Sequence, residues 1–156
     1  MIKEEYMRRA IELAKRATGF TNPNPLVGVV IVKEDRIIGE GYHEKCGQLH
    51  AERNAFASLK ESAEGATLYV TLEPCQMCAG AIVQARVKEV VIGAMNPKAG
   101  CAGSILNLFT MKQFNHQVQT TYGVCEAECS QILKQFFAGL RKRLHETDGS
   151  GICNRK

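Results

Sequence analysis

Residues 66–93 read ATLYVTLEPCQMCAGAIVQARVKEVVIG, and this stretch decides the fold. Ala66–Thr71 and Glu89–Gly93 are short apolar runs of the kind that form buried strands. Between them, Cys75–Arg86 has the length and composition of a helix. A strand, a helix and a second strand in this order predict a parallel pair of strands joined by a crossover helix.

The rest of the chain extends this unit on both sides. Leu26–Lys33 is a Val-rich apolar run, and Glu34-Asp35 turns the chain into a returning strand, Arg36–Tyr42, so a hairpin comes first. A further strand is predicted at Val118–Tyr122. The other predicted helical segments are Met1 to about Ala17, His50–Lys60, a short piece near Ser104–Phe109, and Val124 to about His145. We therefore expect an α/β fold, a three-layer α-β-α sandwich around a mixed sheet of about five strands.

The whole-chain properties predict one domain and no membrane segment. A chain of 156 residues fits a single domain, which we place at residues 1–146. Residues 147–156 lack periodicity, and we expect them to fray. No apolar run approaches the roughly 20 residues of a membrane helix, and the N-terminus is not a signal peptide. The net charge of +4 is too mild to predict nucleic acid binding, and the basic run at 141–143 has the ordinary interpretation of a solvated helix face.

The cysteines point to a reducing compartment. There are seven, an odd number, and no secretory signal accompanies them. This usage argues against a disulfide framework and predicts a cytoplasmic location. In such a compartment, a closely spaced cysteine pair is more often a metal or redox site than a structural one.

Two short motifs carry the predicted chemistry. Cys75 and Cys78 lie three residues apart at the start of a predicted helix, where both sulfurs face one way and the helix N-terminus favours thiolates. His50 opens another predicted helix and completes a three-ligand zinc site, which leaves a fourth position for water. Glu52 is close to the His ligand without being a ligand, as a carrier of the water's proton must be. This combination of H-x-E with P-C-x-x-C is the known pattern of zinc deaminases.

Three other interpretations of these motifs remain open. A structural zinc site would need a fourth protein ligand, for which Cys46 and Cys101 are candidates, but it would leave Glu52 unexplained. A redox CxxC would have no use for His50. The third interpretation is that His50 is an ordinary residue at a helix start and that its spacing from the cysteines is accidental.

From Ala66 onward the chain resembles the bacterial tRNA adenosine deaminases, which act on the wobble adenosine. The matching stretches are ATLYVTLEPCQMCAGAIVQARV, VVIGAMNPKAGCAGSILNL, FNHQV and FFAGLRKR. The resemblance implies a cytidine deaminase-like fold, Zn²⁺ as cofactor, a homodimer and the tRNA anticodon loop as partner. It also implies that Phe137, next to Phe136, contacts a base beside the flipped nucleotide, since such bases stack on aromatic rings.

The first part of the chain is similar to the pyrimidine deaminase domain of riboflavin biosynthesis, whose substrate is a diaminopyrimidinone carrying a ribose phosphate. The stretch that carries this similarity is NPNPLVGVVIVKEDRIIGEGYHEKCGQLHAE. Analogy with either family implies substrate contacts at Asn24 and His43, and we expect a further contact at Ala51. The alternatives are a turn-forming Asn24 before Pro25 and a His43 that caps a strand end.

Each family is matched in one part of the chain and departed from in the other. The tRNA enzymes usually carry Asn at the place of His43, and the riboflavin enzymes space their two zinc cysteines further apart than CxxC. The zinc site and Glu52 are common to both families, so only the substrate stays open, between tRNA and a small nucleobase or nucleotide. We expect the tRNA substrate because that match is longer. A silent RNA-binding partner subunit would typically have lost the carboxylate of Glu52.

Four further residues are weaker candidates. Lys98 and Ser104 flank a Gly-rich loop and are possible phosphate contacts, although the loop lacks a phosphate-binding pattern. Cys125 and Cys129 are four residues apart on the last predicted helix, which suits either a ligand pair or small core residues, and we expect core residues.

Overall fold

The computed structural model describes residues 2–146 and consists of four α-helices, one 3₁₀-helix and five strands within that range. In chain order these elements are α1 Glu4–Lys15, β1 Gly28–Lys33, β2 Arg36–Tyr42, α2 Ala51–Ala57, β3 Thr67–Leu72, α3 Gln76–Gln84, β4 Glu89–Ala94, the 3₁₀-helix Leu108–Thr110, β5 Gln119–Tyr122 and α4 Glu126–Glu146. The predicted frayed tail at 147–156 lies outside the described residues.

The strands form one mixed sheet in the order β2-β1-β3-β4-β5. β1 pairs antiparallel with β2 and with β3, whereas β3–β4 and β4–β5 are parallel pairs. The predicted hairpin, crossover unit and five-stranded mixed sheet are therefore confirmed. The predicted short helix near Ser104–Phe109 is only the 3₁₀ turn, which begins later because the Asn107 side chain accepts the Phe109 N–H and so caps it there.

Helices cover both faces of the sheet because the central strands are apolar on both faces. In β1, Val29 and Ile31 pack in the core under α2 and α3. Val30 and Val32 point the other way, into the core under α1 and α4. The alternation of side chains along a strand thus gives two cores and three layers, as predicted. None of the helices within residues 2–146 is long and apolar enough to cross a membrane.

A glycine in β2 sets how closely α2 approaches the sheet. A Cβ on Gly41 would lie 2.6 Å from the backbone oxygen of Ala51 and would also overlap the backbone N of Ala55. The start of α2 is therefore seated directly on the backbone of β2. This contact fixes the position of the start of α2, where His50 is the N-cap residue and Glu52 lies in the first turn.

Candidate functional site

The three predicted metal ligands lie at the starts of two neighbouring helices. His50 is the N-cap residue of α2, and Cys75 is the N-cap residue of α3. Cys78 lies in the first turn of α3 and is buried. α2 and α3 pack against the same face of the sheet, so the two helix starts meet even though 25 residues separate His50 from Cys75.

The geometry of these side chains fits zinc. His50 Nδ1 lies 3.7 Å from Cys75 Sγ and 3.5 Å from Cys78 Sγ, and the three atoms are within 4.8 Å of one another. A tetrahedral zinc ion with ordinary Zn–S and Zn–N bonds needs an S···N separation of about 3.6 Å. Two thiolates and an imidazole are also a donor set that zinc favours.

Neither proposed fourth ligand joins these donors. In the part of the chain that the structure describes, the cluster contains His50, Cys75 and Cys78 and does not include Cys46 or Cys101. The arrangement is therefore the open, three-ligand type that catalytic zinc sites have.

The side chains around the cluster influence one another's protonation. A hydrogen bond with Cys78, together with one to His50, lowers the pKa of Cys75 to about 3. The hydrogen bond with Cys75 raises the pKa of the His50 imidazole. Burial raises the pKa of the Glu52 carboxyl, which is 4% exposed and faces the Cys78 thiol. The site thus combines a thiolate at Cys75 with a carboxyl at Glu52 that holds its proton more strongly than usual.

Glu52 and two of the three clustered donors, His50 and Cys75, line a cavity of about 160 Å³. Three of the four predicted substrate contacts, Asn24, His43 and Ala51, line the same cavity. The fourth, Phe137, is not among its lining residues, because α4 packs on the opposite face of the sheet. Asn24, His43 and Ala51 therefore lie together in one cavity. Their contacts with a substrate, like the role of Phe137, stay predictions.

The buried His43 ring has both of its nitrogens engaged. Its Nδ1 is 3.0 Å from the Leu49 carbonyl oxygen, and its Nε2 is 3.4 Å from the Asn24 Nδ2. The carbonyl accepts the Nδ1 proton, so Nε2 is the acceptor for the Asn24 amide. The amide oxygen of Asn24 is then the atom left to accept from a molecule in the cavity.

Comparison with known proteins agrees with this geometry. The model of the cytidine and deoxycytidylate deaminase zinc-binding region matches residues 1–94, which contain all of the clustered ligands. The chain belongs to this family of zinc-dependent deaminases. The predicted enzyme class, zinc cofactor and cytidine deaminase-like fold are confirmed at the level of the family.

Relatives from two branches of the deaminase family are equally similar to the chain. The riboflavin biosynthesis protein RibD of Aquifex aeolicus is 42% identical over 87% of this chain and 39% of its own length. The tRNA-specific adenosine deaminase of Bacillus subtilis is 42% identical over 90% of this chain and 91% of its own length. The solved structure of Acinetobacter baumannii RibD superposes with a TM-score of 0.75 at 42% identity, over 88% of this chain and 39% of that one. The chain thus spans about two fifths of the RibD proteins that it matches.

The remaining candidate residues lie outside the cavity. Lys98 and Ser104 do not line it, and the Ser104 hydroxyl instead contacts the Glu73 carboxylate. Cys125 and Cys129 are free thiols. Cys129 is 1% exposed in the core between α1 and α4, which favours the core interpretation.

Two of the polar residues that line the cavity, Glu73 and Asn96, are not predicted from the sequence. Glu73 is 2% exposed, although it is charged. The available signal was its position, since a carboxylate directly after an apolar strand and before Pro74 is unusual for a plain loop. Asn96 had no comparable signal, because Asn-Pro is common in turns.

Proposed function

We propose that this chain hydrolyses the exocyclic amine of a nucleobase-type ring. In this reaction the carbon–amine bond breaks, water supplies the oxygen that becomes a ring carbonyl, and ammonia leaves. One observation carries the proposal: a three-ligand cluster that fits zinc opens, through His50 and Cys75, into a cavity that the buried Glu52 carboxyl also lines. A structural zinc site would not leave a ligand position open and would not need a cavity.

The three metal donors and Glu52 have different parts in this proposal. His50, Cys75 and Cys78 hold zinc, which when bound supplies the acidification of water that hydrolysis at neutral pH requires. Glu52 accepts the water's proton and delivers it to the ring nitrogen and then to the leaving amine. The raised pKa of its carboxyl suits this task, because a proton carrier works best when its pKa approaches the working pH.

For the substrate, we propose the wobble adenosine of a tRNA anticodon loop, which becomes inosine. The support is the 42% identity with a tRNA-specific adenosine deaminase along nearly the whole length of that enzyme. The exposed basic residues 141–143 on α4 fit a polyanionic partner. Phe137 is 41% exposed on the same helix, where it is free to contact a base. The homodimer and the cytoplasmic location go with this proposal.

A second candidate substrate is the diaminopyrimidinone ribose phosphate of riboflavin biosynthesis. The specific observation in its favour is the cavity wall, where Asn24 and His43 form a hydrogen-bonded pair. These two residues belong to the stretch that resembles the riboflavin enzymes. The RibD relatives, equally identical to the chain, support this candidate as well.

An ammonia-release assay on zinc-loaded protein separates the two candidates. The substrates are an anticodon stem-loop with a wobble adenosine, the same stem-loop with a wobble guanosine as a control, and the diaminopyrimidinone ribose phosphate. Turnover of the adenosine stem-loop alone supports the tRNA substrate, and turnover of the small molecule alone supports the second candidate. If the protein turns over none of these substrates and none of a panel of aminated bases and nucleosides, the proposed activity is contradicted.

A further inference from the structure

Glu73 has no part in the proposed chemistry, yet its carboxylate is fully engaged. Its Oε2 accepts the backbone N–H of Asn96 at 2.9 Å, and its Oε1 accepts those of Ala102 and Ser104 at 3.1 and 2.9 Å. The Ser104 hydroxyl donates a fourth hydrogen bond, to Oε2. All four donors belong to the segment after β4, residues 95–104, which we name the wall loop.

The wall loop wraps closely around this carboxylate. A Cβ on Gly100 would overlap the Glu73 carboxylate, so a residue with a side chain does not fit there. Cys101 N–H also donates to the Pro74 carbonyl at 2.8 Å. The loop is thus fastened to the segment that links β3 to α3 through both Glu73 and Pro74.

The wall loop also forms part of the substrate cavity. Asn96 and Ala99 line the cavity from the loop, and Glu73 lines it from the end of β3. The N–H of Asn96 that Glu73 accepts belongs to a residue that lines the cavity. A change at Glu73 therefore reaches the cavity wall directly, through one residue.

We infer that Glu73 is a positioning residue that sets substrate affinity by holding the wall loop in place. It acts through Asn96 and Ala99 and not on the metal cluster, which lies at the starts of α2 and α3. This inference rests on the function proposed above for its kinetic readout. Its structural half, that Glu73 orders the wall loop, can be measured independently of any activity.

The test is Glu73→Gln in zinc-loaded protein, because the amide keeps the size of the side chain but faces N–H donors with an NH₂ group. We expect KM to rise about tenfold or more, as a buried donor left unpaired implies. We expect kcat to stay within about threefold and bound zinc to be unchanged, since no metal ligand is altered. Amide hydrogen exchange should accelerate at Asn96, Ala102 and Ser104.

Two further variants keep the test decisive. Ser104→Ala removes one of the four hydrogen bonds and should give a smaller rise in KM, even if Glu73→Gln does not fold. Glu89→Gln is the matched control, because this carboxylate accepts from the Thr121 hydroxyl at 2.8 Å in the parallel β4–β5 pair, at the start of β4 away from the cavity. It should leave KM unchanged.

The outcomes separate this inference from the proposed function. An unchanged KM in both Glu73→Gln and Ser104→Ala overturns the inference, and so does a loss of zinc or of kcat alone. If the wild-type protein releases no ammonia from any substrate, the proposed function fails and hydrogen exchange decides alone. Faster exchange confined to the wall loop then supports the ordering role, whereas unchanged exchange overturns it.

Discussion

Glu52 lies in the cavity wall with 4% of its surface exposed, beside the Cys78 thiol and outside the set of three metal donors. Glu52→Gln keeps the size of the side chain but removes its ability to carry a proton. We expect turnover to fall by about 10²–10⁴-fold, the usual contribution of general acid–base catalysis. Bound zinc should be unchanged. Ammonia release and zinc content measured on the same sample check both statements.

The control for Glu52 is Glu64→Gln, which changes an exposed carboxyl remote from the metal cluster. It should retain full activity and full zinc content. Activity of Glu52→Gln near that of the wild type would contradict the proton-carrying role. Loss of zinc in Glu52→Gln would mean that the carboxyl supports the metal and not the chemistry.

At the scale of residues, a short sequence pattern is enough to predict which donors come together. The spacing of His50, Cys75 and Cys78 at helix starts predicts one group, and the structure places their donor atoms within 4.8 Å of one another. Glu73 could not be found in this way, because its hydrogen-bond partners are 23 to 31 residues away and belong to a loop without a pattern of its own. The position of Glu73 directly after an apolar strand sets it apart in the sequence, but the donors that surround its carboxylate depend on the fold.

At the scale of elements, the seat of α2 on β2 determines where His50 and Glu52 lie. Gly41→Ala places a Cβ against the backbone of α2, which cannot yield as a side chain end can. We expect a loss of about 2 kcal/mol or more in the free energy of unfolding, the usual cost of overpacking. Bound zinc should fall as well, since α2 carries His50. Urea unfolding and zinc content are the measurements.

Gly80→Ala in α3 is the matched control for Gly41→Ala. A Cβ at Gly80 meets nothing within 4 Å, so the change adds a better helix former without a clash. It should be neutral or stabilise by up to about 1 kcal/mol. Equal effects of the two substitutions would show that the position of α2 does not depend on the glycine in β2.

A bidentate ion pair ties α1 to β2. Arg9 donates to both oxygens of Glu40, at 2.7 and 3.1 Å, and this hydrogen bonding lowers the pKa of the Glu40 carboxyl. Because the pKa is lower in the folded state, the pair stabilises the fold above the unfolded pKa, and this contribution is lost as the pH falls through the folded pKa. Glu40→Gln should therefore cost about 1 kcal/mol at pH 7 and progressively less in acid.

Urea unfolding of the wild type and of Glu40→Gln at several pH values checks this prediction. Glu4→Gln is the control, because Glu4 pairs with Arg8 on the exposed surface of α1 at 2.9 Å and joins no other element through that contact. Its effect should be within about 0.5 kcal/mol. A Glu40→Gln effect that does not depend on pH would show that packing, and not charge, links α1 to β2.

Prediction of the elements succeeds where a clear turn signal separates them. β2 was placed at its observed bounds, Arg36–Tyr42, because two polar turn residues separate it from β1. The segment before β5 was predicted less well. There the chain is held by Glu73 and by turns of its own, so the short helix expected at Ser104–Phe109 forms only its last turn, as a 3₁₀-helix.

At the scale of the whole molecule, the three donors of the metal cluster come from two different supersecondary units. His50 belongs to the helix that follows the hairpin, whereas Cys75 and Cys78 belong to the crossover between β3 and β4. Zinc bound there would cross-link α2 to α3 on one face of the sheet. Its binding energy is then partly folding energy, because the unfolded chain does not assemble the three donors.

Removal of zinc should therefore lower the Tm of the entire described domain. A site filled at about 1,000 times its Kd adds roughly 4 kcal/mol, which for a chain of this size corresponds to roughly 10 °C. A strong chelator should produce that shift in the wild type and in Cys101→Ala, a buried cysteine outside the cluster. Cys75→Ser should melt near the chelated wild type and respond little to the chelator. A chelator shift in Cys75→Ser as large as in the wild type would show that the stabilising metal binds elsewhere.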